Sequence, residues 1–259
     1  PLDNDRAADL FELTQALTFL NEAPACAIYV PVRTNNPRTS TNMPNFWDMV
    51  GRFQRLWPVP NMLNFTTGWQ AEEIQVCWWG PFPHPCGGPF ELDEGASLSD
   101  WIPDKDEVIA QLWAFNVVND APACDAAGGY THIMGMVHPQ APTGNVAGYA
   151  STISAESWVK LPPAAPNPFP NTWNGMFESA VMAQELAHNY GRKHVNCGNP
   201  GGIDGSYPYP PCQIANVGPT SYYGFDFKTK TPIAPNGATD FMSYGGNNWV
   251  SDYTWRAIR

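Results

Sequence analysis

Apolar and polar positions along the chain fall into distinct periodic stretches. Residues 8–20 place Leu10, Leu13, Leu17 and Leu20 at helical spacing, which predicts a short amphipathic helix. Residues 27–32 (AIYVPV) read as a strand. A second helix is predicted over 45–57, with Phe46, Met49, Val50, Phe53 and Trp57 along one face. Residues 73–79 (EIQVCWW) have the character of a buried strand ended by Gly80-Pro81, and a loop rich in Pro and Gly follows to about residue 98. Ser99-Asp100 and Asp104 supply N-cap side chains for a helix reaching about Val118. Strands are predicted at 130–138 and 146–152, then a proline-rich loop at 161–170 and a strongly periodic helix at about 175–190.

Beyond Gly191 the periodicity nearly vanishes until Ser251-Asp252, which can cap a short helix over 252–258. An irregular stretch that long in a compact domain is functional or pinned by cross-links. Alternating helices and strands followed by a helix and an irregular tail predict one α/β unit with an irregular C-terminal lobe.

Composition narrows the classes of function. The chain has 259 residues, 43% hydrophobic and 13% aromatic, enough apolar surface to exclude disorder. No run of 18 apolar residues exists, so no membrane insertion is expected. The balance of 13 basic against 24 acidic residues, a net charge of −11, disfavours nucleic acid and anionic membrane as partners.

Six cysteines, Cys26, Cys77, Cys86, Cys124, Cys197 and Cys212, contain no CxxC pair, which excludes a four-cysteine zinc module. Their even number predicts three disulfides in an oxidising compartment. Of fifteen possible pairings, two short loops, Cys77–Cys86 and Cys197–Cys212, are favoured, leaving Cys26–Cys124. Five lysines and one glycosylation sequon, Asn64-Phe65-Thr66, fit a secreted protein. The absence of a signal peptide fits a mature form or an excised domain.

Chemistry concentrates in residues 183–195, Ala-Gln-Glu-Leu-Ala-His-Asn-Tyr-Gly-Arg-Lys-His-Val. Gln184 and His188 are one helical turn apart and project from the same face. Glu185 sits beside them, and Gly191 can turn left-handed, end the helix and bring His194 back toward the helix. This arrangement resembles the HExxHxxGxxH zinc motif of the metzincin metallopeptidases, matching at Glu185, His188, Gly191 and His194. It departs at the first position, where Gln184 replaces a histidine. A carboxamide oxygen is a neutral, harder and much weaker zinc ligand than an imidazole. Three outcomes are open: Gln184 ligates through its oxygen, a water fills the position, or zinc binds weakly or not at all.

About fifty residues downstream, Asp240-Phe241-Met242-Ser243-Tyr244 resembles the metzincin Met-turn, in the Met-x-Tyr form of the astacin and serralysin branches. The resemblance extends through Cys197-Gly198, Ile203-Asp204, Tyr207-Pro208-Tyr209, Gly224-Phe225-Asp226 and Trp249-Val250-Ser251-Asp252-Tyr253, and to Met136-Val137 and Val146-Ala147-Gly148. It covers about half the chain. It implies one catalytic domain over 1–259, with an upper subdomain to about 191 and a lower one over about 192–259. It also implies a metzincin-like α/β fold: a twisted, mostly parallel sheet, an antiparallel edge strand, an active-site helix and an irregular lower lobe. The edge strand would be 146–152, with Val146, Ala147 and Gly148 offering backbone hydrogen bonds to an extended substrate.

By the same resemblance, Gln184, His188 and His194 would hold one Zn2+ ion and Glu185 would act as general base and then acid. Tyr244 would stabilise the oxyanion, and Gly191 and Met242 would support the site. The implied function is a secreted, monomeric zinc endopeptidase acting on proteins or peptides. The rival reading is a metzincin-fold pseudoenzyme acting as a binding or structural module.

Other residues have plainer readings. His84, His132 and His138 are read as structural or solvated, and Asp204, Asp226 and Asp240 as turn-stabilising side chains rather than calcium ligands. Glu91, Asp93 and Glu94 read as a solvated loop. Trp78-Trp79 and Tyr222-Tyr223 are read as buried aromatics. No GxSxG elbow or phosphate-binding glycine loop occurs.

Overall fold

Parallel strands buried on both faces need apolar residues pointing both ways, and the central strands have them. In a computed structural model, β1 (Ala25–Pro31), β2 (Leu63–Thr66), β5 (Tyr130–Val137), β6 (Gly148–Ala150) and β7 (Glu156–Lys160) form a five-stranded sheet in the order β2-β1-β5-β7-β6. The structure describes residues 25–32, 46–57, 63–66, 76–79, 82–85, 108–110, 112–113, 130–137, 139, 143, 146–151, 154–162 and 177–258. Strands β2, β1, β5 and β7 run parallel; β6 pairs antiparallel with β7, Gly148 opposite Val159, and forms one edge. The fold is therefore mixed α/β with a mostly parallel sheet, as expected.

One sheet face, carrying Ala27, Tyr29, Met134, Met136 and Val159, packs on α1 (Phe46–Leu56) and α2 (Phe177–Asn189). The other, with Ile28, Val30, Ile133, Val137 and Trp158, meets Val108 and Leu112 of a helical segment. Helix α1 buries Phe46, Met49, Val50, Phe53 and Leu56, nearly the face its periodicity predicts. Helix α2 is buried along nearly its whole length, including Gln184 and Glu185. Side-chain bonds seat it: Ser179 Oγ donates to the Met49 carbonyl (3.1 Å), and Asn189 Nδ2 donates to the Glu156 (3.0 Å) and Ser151 (3.2 Å) carbonyls.

The C-terminal region contains short pairs, β8 (Gly224–Asp226) with β9 (Thr231–Ile233) and β10 (Thr239–Asp240) with β11 (Asn248–Trp249), and ends in α3 (Asp252–Ile258). Ser251 caps α3, its Oγ accepting the Thr254 N–H at 3.1 Å. Arg55 of α1 pairs with Asp226, which also accepts the Lys228 N–H and the Thr229 hydroxyl. Asp226 is thus a turn-stabilising side chain. Despite its burial, the Arg55 guanidinium and these donors hold its carboxyl below the usual range.

The Cys197–Cys212 disulfide is present, with Cα atoms 4.9 Å apart. It closes a loop of 15 residues, for which the chain-entropy model gives about 3 kcal/mol. The Cys197→Ser/Cys212→Ser double variant is expected to lose about that much stability in urea unfolding. The other two pairings rest on side chains outside the described residues, as do the side chains of Asn64, Trp78 and Trp79. The predicted helix at 8–20, the loop carrying Glu91, Asp93 and Glu94, and His138 also lie outside them.

Three differences concern strands. No strand is predicted at 156–160, where Glu156 and Ser157 are polar; both are nevertheless buried in β7. The short β2 was likewise not expected. β3 (Val76–Trp79) ends before Gly80-Pro81 as expected, but it pairs antiparallel with β4 (Phe82–Pro85), so His84 lies on a strand rather than in a loop. No helix among the described residues is long and apolar enough to cross a membrane.

Candidate active site at the end of helix α2

Helix α2 ends at Asn189, and Gly191 just beyond it has a φ of +73°, the left-handed conformation its sequence position calls for. The Gly191 N–H bonds the His188 carbonyl at 2.8 Å and the Arg192 N–H bonds the Ala187 carbonyl at 3.0 Å, a Schellman closure. The chain then reverses, and an isolated bridge pairs His194 with Ile203. The reversal brings His194 to His188, six residues earlier, with Nε2 atoms 3.1 Å apart and ring planes nearly perpendicular at 88°.

The outer nitrogens decide what this pair can hold. His188 Nδ1 lies 2.7 Å from the Arg192 carbonyl oxygen, and His194 Nδ1 is hydrogen-bonded to the Gly201 carbonyl. A carbonyl can only accept, so each Nδ1 carries the proton. Both Nε2 atoms are then lone-pair donors aimed at one another. Two lone pairs at that distance repel unless a cation lies between them. Burial, and then the neighbouring His194, push the His188 pKa down to about 4 against the opposing Arg192 hydrogen bond, so its ring is neutral near pH 7.

A tetrahedral zinc with Zn–N bonds of about 2.0–2.1 Å separates its nitrogen ligands by about 3.3 Å. The pair observed is close to that separation, and its carbonyl-held Nδ1 atoms match the outer-shell pattern of ligating histidines. Two imidazoles therefore fit zinc. Gln184, one turn before His188 on the same helix, is 6% exposed. Among the described residues no cluster of three His, Cys, Asp or Glu side chains is disposed to hold a metal.

Glu185 is buried, and desolvation pushes its pKa up to about 8. It lies under the edge strand: a Cβ built on Gly148 would come 2.7 Å from Glu185 Cγ and 2.6 Å from Val181 Cγ1. No side chain fits there without displacing Glu185. Gly148→Ala is accordingly expected to cost about 1–3 kcal/mol in urea unfolding. Gly51→Ala, in open space on α1, is expected to gain about 0.5–1 kcal/mol. The Ala147 carbonyl accepts the Lys160 N–H at 2.8 Å, and Val146 bonds back to the Thr143 carbonyl at 3.0 Å. Along the outer side of β6 the sheet has no further strand among the described residues.

The segment 240–244 is bonded to the loop that follows α2. Met242 is fully buried, its N–H bonded to Asp240 Oδ1 at 2.8 Å and its carbonyl to the Val195 N–H at 2.9 Å. Asp240 Oδ2 accepts the Ser251 N–H at 3.0 Å, so this carboxylate ties the turn to α3. The Tyr244 N–H bonds the Cys197 carbonyl at 2.9 Å, and its ring stands 5.1 Å from that of His194. Gly198, at φ +78°, makes the contact possible, because a Cβ there would lie 2.5 Å from the Tyr244 carbonyl oxygen. Tyr244 is 57% exposed, and partial burial and the Glu185 charge raise its pKa, so the phenol keeps its proton.

Of the expected site residues, His188, His194 and Tyr244 are thus brought together and Glu185 lies against Gly148, while other candidates lie elsewhere. His132 is buried in the core, stacked on Tyr190 with centroids 4.8 Å apart, and burial lowers its pKa to about 4. Asp204 bonds the Ser206 N–H at 2.9 Å, a turn role. Tyr222 and Tyr223, expected to be buried, are 55% and 61% exposed. They line a cleft of about 910 Å³ with Phe225, Phe227 and Trp255. The residues not anticipated are the carbonyl acceptors Arg192 and Gly201 and the Gly198 contact. Backbone groups leave no compositional signal; only the glycine at 198 was available as a hint.

No protein-family model matches this chain, and no curated protein matches it.

Proposed function

We propose that the chain is a secreted metzincin-type zinc endopeptidase, hydrolysing peptide bonds of extracellular proteins. The observation that carries this reading is the imidazole pair, two neutral Nε2 lone pairs 3.1 Å apart with both Nδ1 atoms held by carbonyls. His188, His194 and Gln184 would hold the ion. Bound there, zinc would acidify a water molecule and polarise the scissile carbonyl.

The chain's own residues would do the rest. Glu185, desolvated beside the pair, takes a proton from the attacking water and delivers it to the leaving amine. Tyr244, protonated and solvent-facing beside His194, donates to the developing oxyanion, a contribution of about 3 kcal/mol. The outer side of β6 aligns an extended substrate through main-chain hydrogen bonds. The disulfide supports an oxidising compartment.

Gln184 supports a second reading, a fold of this type kept as a binding module with weakened metal affinity. Zinc titration of chelator-stripped protein, followed by cleavage of an unfolded protein substrate, separates the two. One ion per chain with cleavage abolished by chelator is the expected result. Zinc binding without cleavage favours the module, and no binding overturns the metal site.

A further inference from the structure

We propose that Asp204 is a positioning residue for the His188–His194 pair, holding in place the two carbonyls that fix the histidine tautomers. With respect to the metal, this rests on the reading that the pair holds zinc.

The loop from Arg192 to Asp204 supplies both carbonyls, Arg192 O for His188 and Gly201 O for His194. It contains no helix and only one isolated bridge; Met242, Tyr244 and the disulfide tie its middle at Val195 and Cys197, which leaves its two ends. Asp204 ties both. Its backbone N–H bonds the His194 carbonyl at 2.7 Å. Its Oδ2 lies 3.4 Å from Arg192 Nη2, at the start of the loop, and accepts the Tyr253 hydroxyl of α3 at 2.9 Å. The Arg192 guanidinium also stands 4.8 Å over the Tyr253 ring. One carboxylate therefore joins the first and last residues of the loop and anchors them to α3.

Without that anchor the carbonyls are no longer held against the imidazoles. A histidine whose Nδ1–H has lost its acceptor divides between tautomers, and the fraction protonated on Nε2 cannot ligate. Loss of outer-shell support of this kind weakens metal binding about 10–100-fold. The carboxylate does so without touching the metal or the substrate.

The test compares wild type, Asp204→Ala, Asp204→Asn and Tyr253→Phe. The nitrogen spectrum of histidine-labelled, zinc-free protein reads the tautomers, and chelator competition reads the zinc Kd. Asp204→Ala is expected to shift His188 and His194 away from the pure Nδ1–H form and raise the Kd about 10–100-fold. Asp204→Asn, which keeps an oxygen acceptor, is expected to recover part of both. Tyr253→Phe, which removes only one hydroxyl, tests the same shift at smaller size should Asp204→Ala fail to fold. Unchanged tautomers and Kd in a folded variant would overturn the proposal. Should wild type bind no zinc, the metal reading falls, while the zinc-free spectra still decide the positioning role: a shift supports it and no shift overturns it.

Discussion

Replacing Gln184 with histidine is expected to tighten zinc binding by about a hundredfold or more, because even an outer-shell partner is worth 10–100-fold and a ligand is worth more. The physical basis is direct. Positions 184 and 188 share a helix face, and α2 is regular through both. The buried side chain at 184 is thus carried on the same rigid element as His188, and His194 is already within 3.1 Å of it. An imidazole would bring a stronger donor to a site whose other two nitrogens need no rearrangement. Chelator competition measures the affinity, and chelator-sensitive cleavage of an unfolded substrate should rise with it. An unchanged Kd would mean that position 184 does not reach the pair, and the defect would have to be sought elsewhere.

Glu185→Ala, in whichever background turns over, is expected to lower kcat by about 10²–10⁴. Zinc should still bind, since the imidazoles and their carbonyl partners are untouched. The split between the two readouts is the point of the experiment. A carboxylate that merely filled space under Gly148 would be expected to change stability and leave kcat alone. A proton-transfer group changes kcat and leaves the Kd alone. Persistent turnover would remove Glu185 from the base role, and loss of zinc would show that its contribution is to the architecture of the site.

Much of the architecture was legible because it depends on local period. The face of α1, the extent of α2, the left-handed Gly191 and the Ser251 cap all follow from residues within a few positions of one another. β7 was not legible, since burial of Glu156 and Ser157 depends on being flanked by β5 and β6, which are distant or reversed in the chain. The exposure of Tyr222 and Tyr223 was missed for the converse reason: an aromatic pair is buried only if some element covers it, and sequence does not say whether one does.

The same division runs through the site. By itself the sequence determined which donors are available, their spacing on one helix and the glycine that reverses the chain, because side-chain identity and helical geometry are local. Only the tertiary structure decided that the two histidines face each other, that carbonyls of the following loop set their protonation, and that Gly148 of a separate strand closes over Glu185. The histidine contacts are made by a loop that has no regular period, so spacing alone does not predict them, and the Gly148 contact comes into existence only when the sheet and α2 are packed together.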